Sequence, residues 1–511
     1  MKKQIYTLIA AVGLLASSCD SYFDTELYQQ IPQENAYANV MDITNNLHGI
    51  YYMCGQYRFL GRNTVAIGDM AADISIANPS SGHFVSINTY SVTETEAILN
   101  DTWEYGYKVI DLATRNINGA KALLEAGGLS AADQSSLNRA IAQSYALRAH
   151  AAFTLVNLFG LPYGTDNSEH GGLIIVEDAP IPETAQVSRA SVQSTYEWII
   201  RDITAAQGYP NEISGGVQYY FNPAAIKALE ARVLLYMGKY SEAATAAGEA
   251  LTLRGATEIS DKEYVSRWNS TSISNEDIFT IVKSADDNLS ANSLNTLYGS
   301  YGGTLTKRIF NEVLASTDIR RQLTDTVDGA VYLKKYLGIP GNESVTNIPV
   351  FRVSEMHLIQ AEAYAMTDNL PAARTALFNT AKRNTAITSE NDLPADKKKL
   401  LAFIALERQR EFFGEGHRWY DARRTGEKIS VSDGKFQNYD LSKFVYPIPA
   451  NEINAGFGTE QNETWKKHLP TYQVNTIPSG TECLSVPDFY TFIKPKQRFH
   501  LYKIIHFELS M

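Results

Sequence analysis

The sequence predicts a mostly α-helical fold, a scaffold of repeated helix pairs that carries an irregular, loop-rich part with short strands. Three observations lead there. Apolar residues recur at three- and four-residue steps over long stretches, the period of an amphipathic helix. Alanine-rich helix pairs return at three places along the chain, which is the mark of a repeat architecture. Between them lie segments rich in Gly, Asn, Ser, Thr and Asp, which read as loops. The chain has 511 residues, enough for about three ordinary domains and for a large core without disulfide staples. Its net charge of −11 argues against the clustered basic footprint of a nucleic-acid binder. No apolar run after the N-terminus approaches the length of a membrane span.

Residues 1–18 read as a signal segment. Lys2 and Lys3 supply the positive start, Ile5 to Leu15 the short apolar stretch, and Ala16-Ser17-Ser18 the small residues before Cys19. This end resembles a lipobox, in which the cysteine takes a diacylglycerol and becomes the mature N-terminus. Ala16 stands where such a motif usually has Leu, with Leu15 one step back. The alternative is an ordinary secretory signal with a coincidental cysteine. Residues 19–34 then form the lipid anchor and a polar tether. With Cys19 acylated, Cys54 and Cys483 allow one disulfide, and their spacing gives no reason to expect it.

Helical periodicity begins over 35–52, with Ala36, Val40, Ile43, Leu47 and Ile50 on one face. A loop-rich part follows at about 61–100. A second helix over 101–124 carries Trp103, Tyr107, Ile110, Ala113, Ile117 and Ala120 on one side. Helical repeats are expected at about 125–253 and 350–425. The stretch 225–251 resembles a tetratricopeptide repeat, with Gly238 at its turn and small alanines for close packing. The stretch 355–383 is a second copy in which Thr367 takes the place of the turn glycine. A third copy runs over 140–160, with its partner helix near 192–206. The part between 254 and 349 is again loop-rich. Ile278–Val282 reads as a short strand by its β-branched content, and 286–306 as a long loop.

The densest signal is the run Glu407-Arg408-Gln409-Arg410-Glu411-Phe412-Phe413-Gly414-Glu415-Gly416-His417-Arg418-Trp419-Tyr420-Asp421-Ala422-Arg423-Arg424. Charges interleaved with four aromatics do not describe a merely solvated face. Arginines buried among aromatics prefer bidentate carboxylate partners. Arg408, Glu411 and Arg418 are therefore expected to hold the last repeat to the rest of the chain, with His417 packing or capping. This run resembles the C-terminal signature of the SusD/RagB family, and Tyr446–Asn454 resembles the family's closing motif. The resemblance covers about residues 1–462 and makes 35–462 one SusD-like domain. It leaves 463–511 as an extension with no functional account. It implies a surface-exposed outer-membrane lipoprotein that binds oligosaccharide or polysaccharide and delivers it to a TonB-dependent SusC-like transporter, without catalysis and without a cofactor. The alternatives are a peptide-binding member of the same family, a glycan-hydrolysing surface lipoprotein and a purely structural scaffold.

The residues themselves single out no catalytic constellation. The sequence has no HExxH helix, no CxxC pair, no phosphate-binding glycine loop and no GxSxG elbow. Glycoside hydrolysis needs two carboxylates roughly 5–10 Å apart. The chain's 56 Asp and Glu contain no pair that stands out. Sugar binding asks for less: aromatic faces for the C–H faces of the rings, and amides, carboxylates and guanidinium groups for the hydroxyls. Two loop regions combine these groups. The first holds Asp69, Asp73, His83, Phe84, Asn88 and Tyr90. The second holds Trp268, Asp287, Asn288, Asn292, Asn295, Tyr298 and Tyr301. The expected ligand residues are Tyr298, Tyr301, Asn288, Asn292, Trp268, Asp73, Asp69 and Tyr90. Trp268 also reads as a core residue, and Asp69 and Asp73 also read as braces of turns.

Overall fold

The computed structural model describes residues 36–470, apart from 166–167, 180, 182–184, 214–216, 256–258 and 463–464. The expected signal segment 1–18, Cys19, the tether to residue 34 and the chain beyond 470 lie outside the described residues.

Helix α1 (Val40–Cys54) starts where the Asn39 side chain accepts the Asp42 amide, and it buries Ile43, Leu47, Ile50 and Cys54 on one face. Helices α2 (Asn63–Met70) and α3 (Val85–Thr89) stand in the first loop-rich part. Helix α4 (Ala97–Ala126) buries Trp103, Ile110, Ala113, Ile117 and Ala120, the face its periodicity predicts. Helix α5 (Ala131–Phe159) is buried on all sides over Ala140–Phe153. Its alanines let α4 pack along one flank and α6 (Val192–Gln207) along another.

The next pair is α7 (Pro223–Tyr236) and α8 (Tyr240–Arg254), followed by the short α9 (Asp261–Ser266) and α10 (Leu294–Tyr298). A further pair, α11 (Val353–Met366) and α12 (Leu370–Ala381), packs against α8, so the pairs stack. Helices α13 (Lys397–Phe412), α14 (Arg418–Thr425) and α15 (Ala450–Asn454) complete the set. The two tetratricopeptide-like turns are built alike. Gly238 closes the first at φ +70°, and Asp368 closes the second at φ +63°. The turn glycine is thus matched by Asp368, one residue after Thr367. Short polar residues such as Asp tolerate this left-handed conformation.

The strands are few and antiparallel. Strand β1 (Ser75–Ile76) pairs with β3 (Thr304–Leu305), β3 with β5 (Ala330–Leu333), and β5 with β4 (Thr324–Val327). This small sheet ties the two loop-rich parts together, with Ser75 opposite Leu305. Strand β2 (Asp277–Ile281) falls on the expected strand and pairs with β6 (Ile348–Arg352). Strands β7 (Lys428–Val431) and β8 (Phe436–Asp440) form a hairpin after α14.

The signature run is the buried hub between these parts. Glu411, with no exposed surface, accepts from Arg352 at 2.8 Å, Arg383 at 3.0 Å and Arg320 at 3.2 Å. Arg320 in turn takes Glu407 at 2.6 Å and Asp318 at 2.8 Å, while Arg352 and Lys335 share Glu415. Arg408 holds Asp421 at 2.7 Å, and Arg418 reaches Asp73 at 2.8 Å and Glu427 at 2.6 Å. These bonds link α13 and α14 to β6, to the turn after α12 and to the loop after α2. Burial pushes the Glu411 carboxyl up, but Arg383, Arg352 and Arg320 outweigh it and hold it well below the usual range. The hub also depends on a close backbone contact. A Cβ at Gly68 of α2 would lie 1.9 Å from the Gly416 carbonyl oxygen, so only glycine lets α2 dock on this turn. Past the expected boundary at 462, Trp465 is 4% exposed, so the packed chain reaches at least that far.

Candidate functional site

The expected ligand residues divide sharply. Tyr298 is 3% exposed and shares a 3.1 Å hydrogen bond with Ser75 Oγ. The expected loop in fact contains α10, capped by Ser293, whose Leu294, Leu297 and Tyr298 face the core. Trp268 is buried at 5%, set edge-on to Tyr336, with the Lys335 ammonium 4.7 Å from its ring. Asp69 has no exposed surface, and one of its oxygens accepts the Gly416 amide at 3.1 Å. Burial raises its carboxyl well above the usual range, against the pull of that amide and Lys335. Tyr90 is buried and donates to the Ala71 carbonyl. Asp73 pairs with Arg418 and Arg308. The Asn288 side chain donates to the Ala285 carbonyl at 2.6 Å and accepts the Ser290 amide at 2.9 Å, closing its own turn. These six are corrected to scaffold: each is buried or spends its polar atoms inside the protein.

Tyr301 and Asn292 remain, and they come together with residues of the first loop-rich part. The Tyr301 ring lies flat on His83, with centroids 4.0 Å apart and planes at 9°. Both are half-buried. The Tyr301 carbonyl accepts from Asn78 at 3.0 Å, which fixes the loop under the ring. Gly302 turns the chain there at φ +72°. Asn292 accepts from Arg62 Nη1 at 3.1 Å. The Arg62 guanidinium lies 4.8 Å from the Tyr57 ring and 5.3 Å from the Phe84 ring. Arg58 donates to Tyr105 at 2.7 Å beside them. Burial, and then Arg62, lower the His83 imidazole below its usual value, so it is neutral near pH 7. A neutral stacked ring pair beside guanidinium and amide groups has the chemistry that takes a sugar's apolar face and its hydroxyls.

A separate groove has a volume of about 340 Å³, within the range of about 300–1,000 Å³ usual for small-ligand sites. Its walls include His48, Tyr52, Tyr219, Tyr220, Lys283 and Asp287. Tyr52 and Tyr219 are 55% and 44% exposed, unusual for rings of this size. Tyr220 stacks against His48 and packs on Tyr219 with centroids 4.8 Å apart. The buried Lys283 ammonium donates to Asp287 at 3.1 Å. Only Asp287 of the groove was legible beforehand. The others come from α1, from 219–220 and from the end of β2, with no local pattern to join them. Among the described residues no group of three or more His, Cys, Asp or Glu is arranged to hold a metal ion. Among them, too, no helix is long and apolar enough to cross a membrane.

Comparison with known proteins agrees with this architecture. The SusD family model matches residues 269–465, and a family model described as starch-binding and associating with the outer membrane matches residues 21–235. A SusD-like protein of Formosa agariphila is 26% identical over 186 residues, 35% of this chain. That match covers 34% of the relative's own length, so the chain spans about a third of the curated relative it matches. A SusD superfamily protein of Bacteroides thetaiotaomicron superposes with a TM-score of 0.73 at 26% identity, covering 83% of this chain and 99% of that one. A SusD-like carbohydrate binding protein of Bacteroides vulgatus has a TM-score of 0.70 at 19% identity, covering 86% and 100%. At that identity the likeness bears on the fold.

Proposed function

The chain belongs to the SusD/RagB family, and from that premise we propose that it is a surface-exposed outer-membrane lipoprotein. In this reading it captures oligosaccharide or polysaccharide and hands it to a TonB-dependent SusC-like transporter. The family description supports starch-type glycan binding and association with the outer membrane. The observation that carries the reading is the Tyr301–His83 stack beside Arg62 and Asn292, with the aromatic groove as a second such surface. Such a surface holds a neutral sugar chain by stacking and hydrogen bonding, and delivery needs no covalent step. Cys19 carries the anchor, and the repeat-rich parts, about 125–253 and 350–425, lie against the barrel. The loops near 69–90 and 286–302 then hold the glycan over its mouth. A stable lipoprotein–barrel interface buries more than about 1,000 Å².

The test has two arms. A glycan array and a peptide library are probed with the protein and with Tyr301→Ala. Binding to glycans that is lost in the variant is expected; peptide binding alone, or release of shortened glycans during incubation, contradicts the reading. Mild-detergent recovery of the tagged lipoprotein from native membranes is expected to bring a β-barrel with it. Recovery of free lipoprotein, with glycan uptake unchanged on its deletion, contradicts the delivery step.

A further inference from the structure

We propose that a cleft at the centre of the molecule, separate from the glycan platform, binds a small carboxylate. The cleft lies between α5, α7, β6 and the turn Glu415–His417, and it encloses about 90 Å³. It is lined by His150, Thr154, Arg232, Tyr236 and His417 among others. Water occupies about 30 Å³ per molecule, so the space fits three waters or an acid of four or five heavy atoms.

Some of the polar groups around it have ring or guanidinium nitrogens that the protein leaves unbonded. His150 is 2% exposed, and its Nδ1 has no hydrogen-bond partner. It sits among Phe221 and Phe351, with ring centroids 5.8 and 5.5 Å away, which supply none. Native structures rarely leave such an atom unsatisfied, and each case calls for an explanation. The Arg232 guanidinium is held on Glu355 through Nε and Nη2, both at 2.6 Å, over the Phe351 face at 4.1 Å. Its Nη1 makes no hydrogen bond to the described residues. The His417 imidazole stacks on Phe412 at 4.3 Å and likewise makes none to the described residues.

Two acceptors of the lining are already bonded. Glu415 is bonded by Lys335 and Arg352, and Asn157 Oδ1 accepts from Tyr196. Burial, and then Arg232, press both His150 and His417 below their usual range, so both are neutral near pH 7. An anion with two acceptor oxygens and a short apolar tail satisfies this arrangement. Its oxygens take the Arg232 edge and an imidazole N–H, and its tail meets Leu60, Phe153 and Ile348. The carboxylate belongs to a free small acid.

The full chain is titrated with sodium acetate, sodium glucuronate, sodium chloride and acetamide, by calorimetry and by thermal shift. Saturable binding of acetate but not of chloride or acetamide is expected. Glucuronate is too large for the space, so acetate binding without glucuronate binding is expected, and equal binding of glucuronate overturns the proposal. His150→Phe is expected to weaken binding at least tenfold. Thr154→Leu fills the cleft, loses no contact beyond a bond to its own helix, and is expected to abolish binding with the fold retained. The proposal is overturned if chloride matches acetate (an adventitious ion only), or if acetamide matches acetate (a neutral, water-like site). It is equally overturned if both variants bind as the parent does.

Discussion

Glu411→Ala removes the carboxylate on which Arg320, Arg352 and Arg383 converge. None of the three is left wholly unpaired, since Glu407, Asp318, Glu276 and Glu415 stay in place. The local charge nevertheless rises by one in a site with no exposed surface. Removing one partner from a buried ion pair costs about 3–5 kcal/mol. The span from 36 to 470 is about 435 residues long, and unfolding entropy near 60 °C is about 2.1 cal/mol/K per residue. That makes roughly 0.9 kcal/mol/K, so the melting temperature is expected to fall by about 3–6 °C at pH 7. The pH dependence gives a second handle. The folded pKa lies below the unfolded value of about 4.3, so the contribution is fully present above about pH 5 and is lost as pH falls below about 4. By pH 3 the gap between wild type and variant is expected to have narrowed. Differential scanning calorimetry at pH 7 and pH 3 reads both. A variant that melts with the parent at pH 7, or a gap that ignores pH, refutes the hub as a source of stability.

Tyr301→Ala and His83→Ala are each expected to weaken glycan binding about tenfold, the equivalent of about 1.4 kcal/mol, with little change in melting temperature. Calorimetric titration with a binding glycan and a thermal scan check both. Tyr298→Ala is expected to behave oppositely, losing about 3–5 kcal/mol of stability as buried aromatics do. Gly68→Ala is expected to lower soluble yield and melting temperature, because its Cβ meets the Gly416 carbonyl. Cys19→Ala is expected to release the protein from membranes, read by fractionation and by mass spectrometry of the mature N-terminus; unchanged membrane retention contradicts the anchor.

The hub was legible because its signal is compositional and local. Charges alternating with Phe412, Phe413, Trp419 and Tyr420 have no stable arrangement except paired burial. The helix pairs were legible for the same reason, since alanine spacing and turn residues are read within one stretch. Tyr298 was misassigned despite a readable cue: Ser293 followed by Leu294, Leu297 and Tyr298 is a capped helical turn with one apolar face. Glycines and serines on either side masked it. Asp69 and Trp268 carry no such cue, because their burial is made by distant partners, the Gly416 turn and the Lys335–Tyr336 segment. The aromatic groove is wholly tertiary, drawing on residues more than 200 positions apart in the chain, such as His48 and Lys283. The half-burial of Tyr301 had a local cue, because a tyrosine among glycines and serines has little to pack against.

Hydroxyl-radical footprinting of the full chain, with and without a saturating glycan, tests the capture surface most directly. The glycan is expected to protect Tyr301, His83, Tyr52 and Tyr219 together, and to leave the buried Tyr298 and Trp268 unchanged. Protection confined to the repeat-rich parts, with Tyr301 and His83 as reactive as before, would contradict the account.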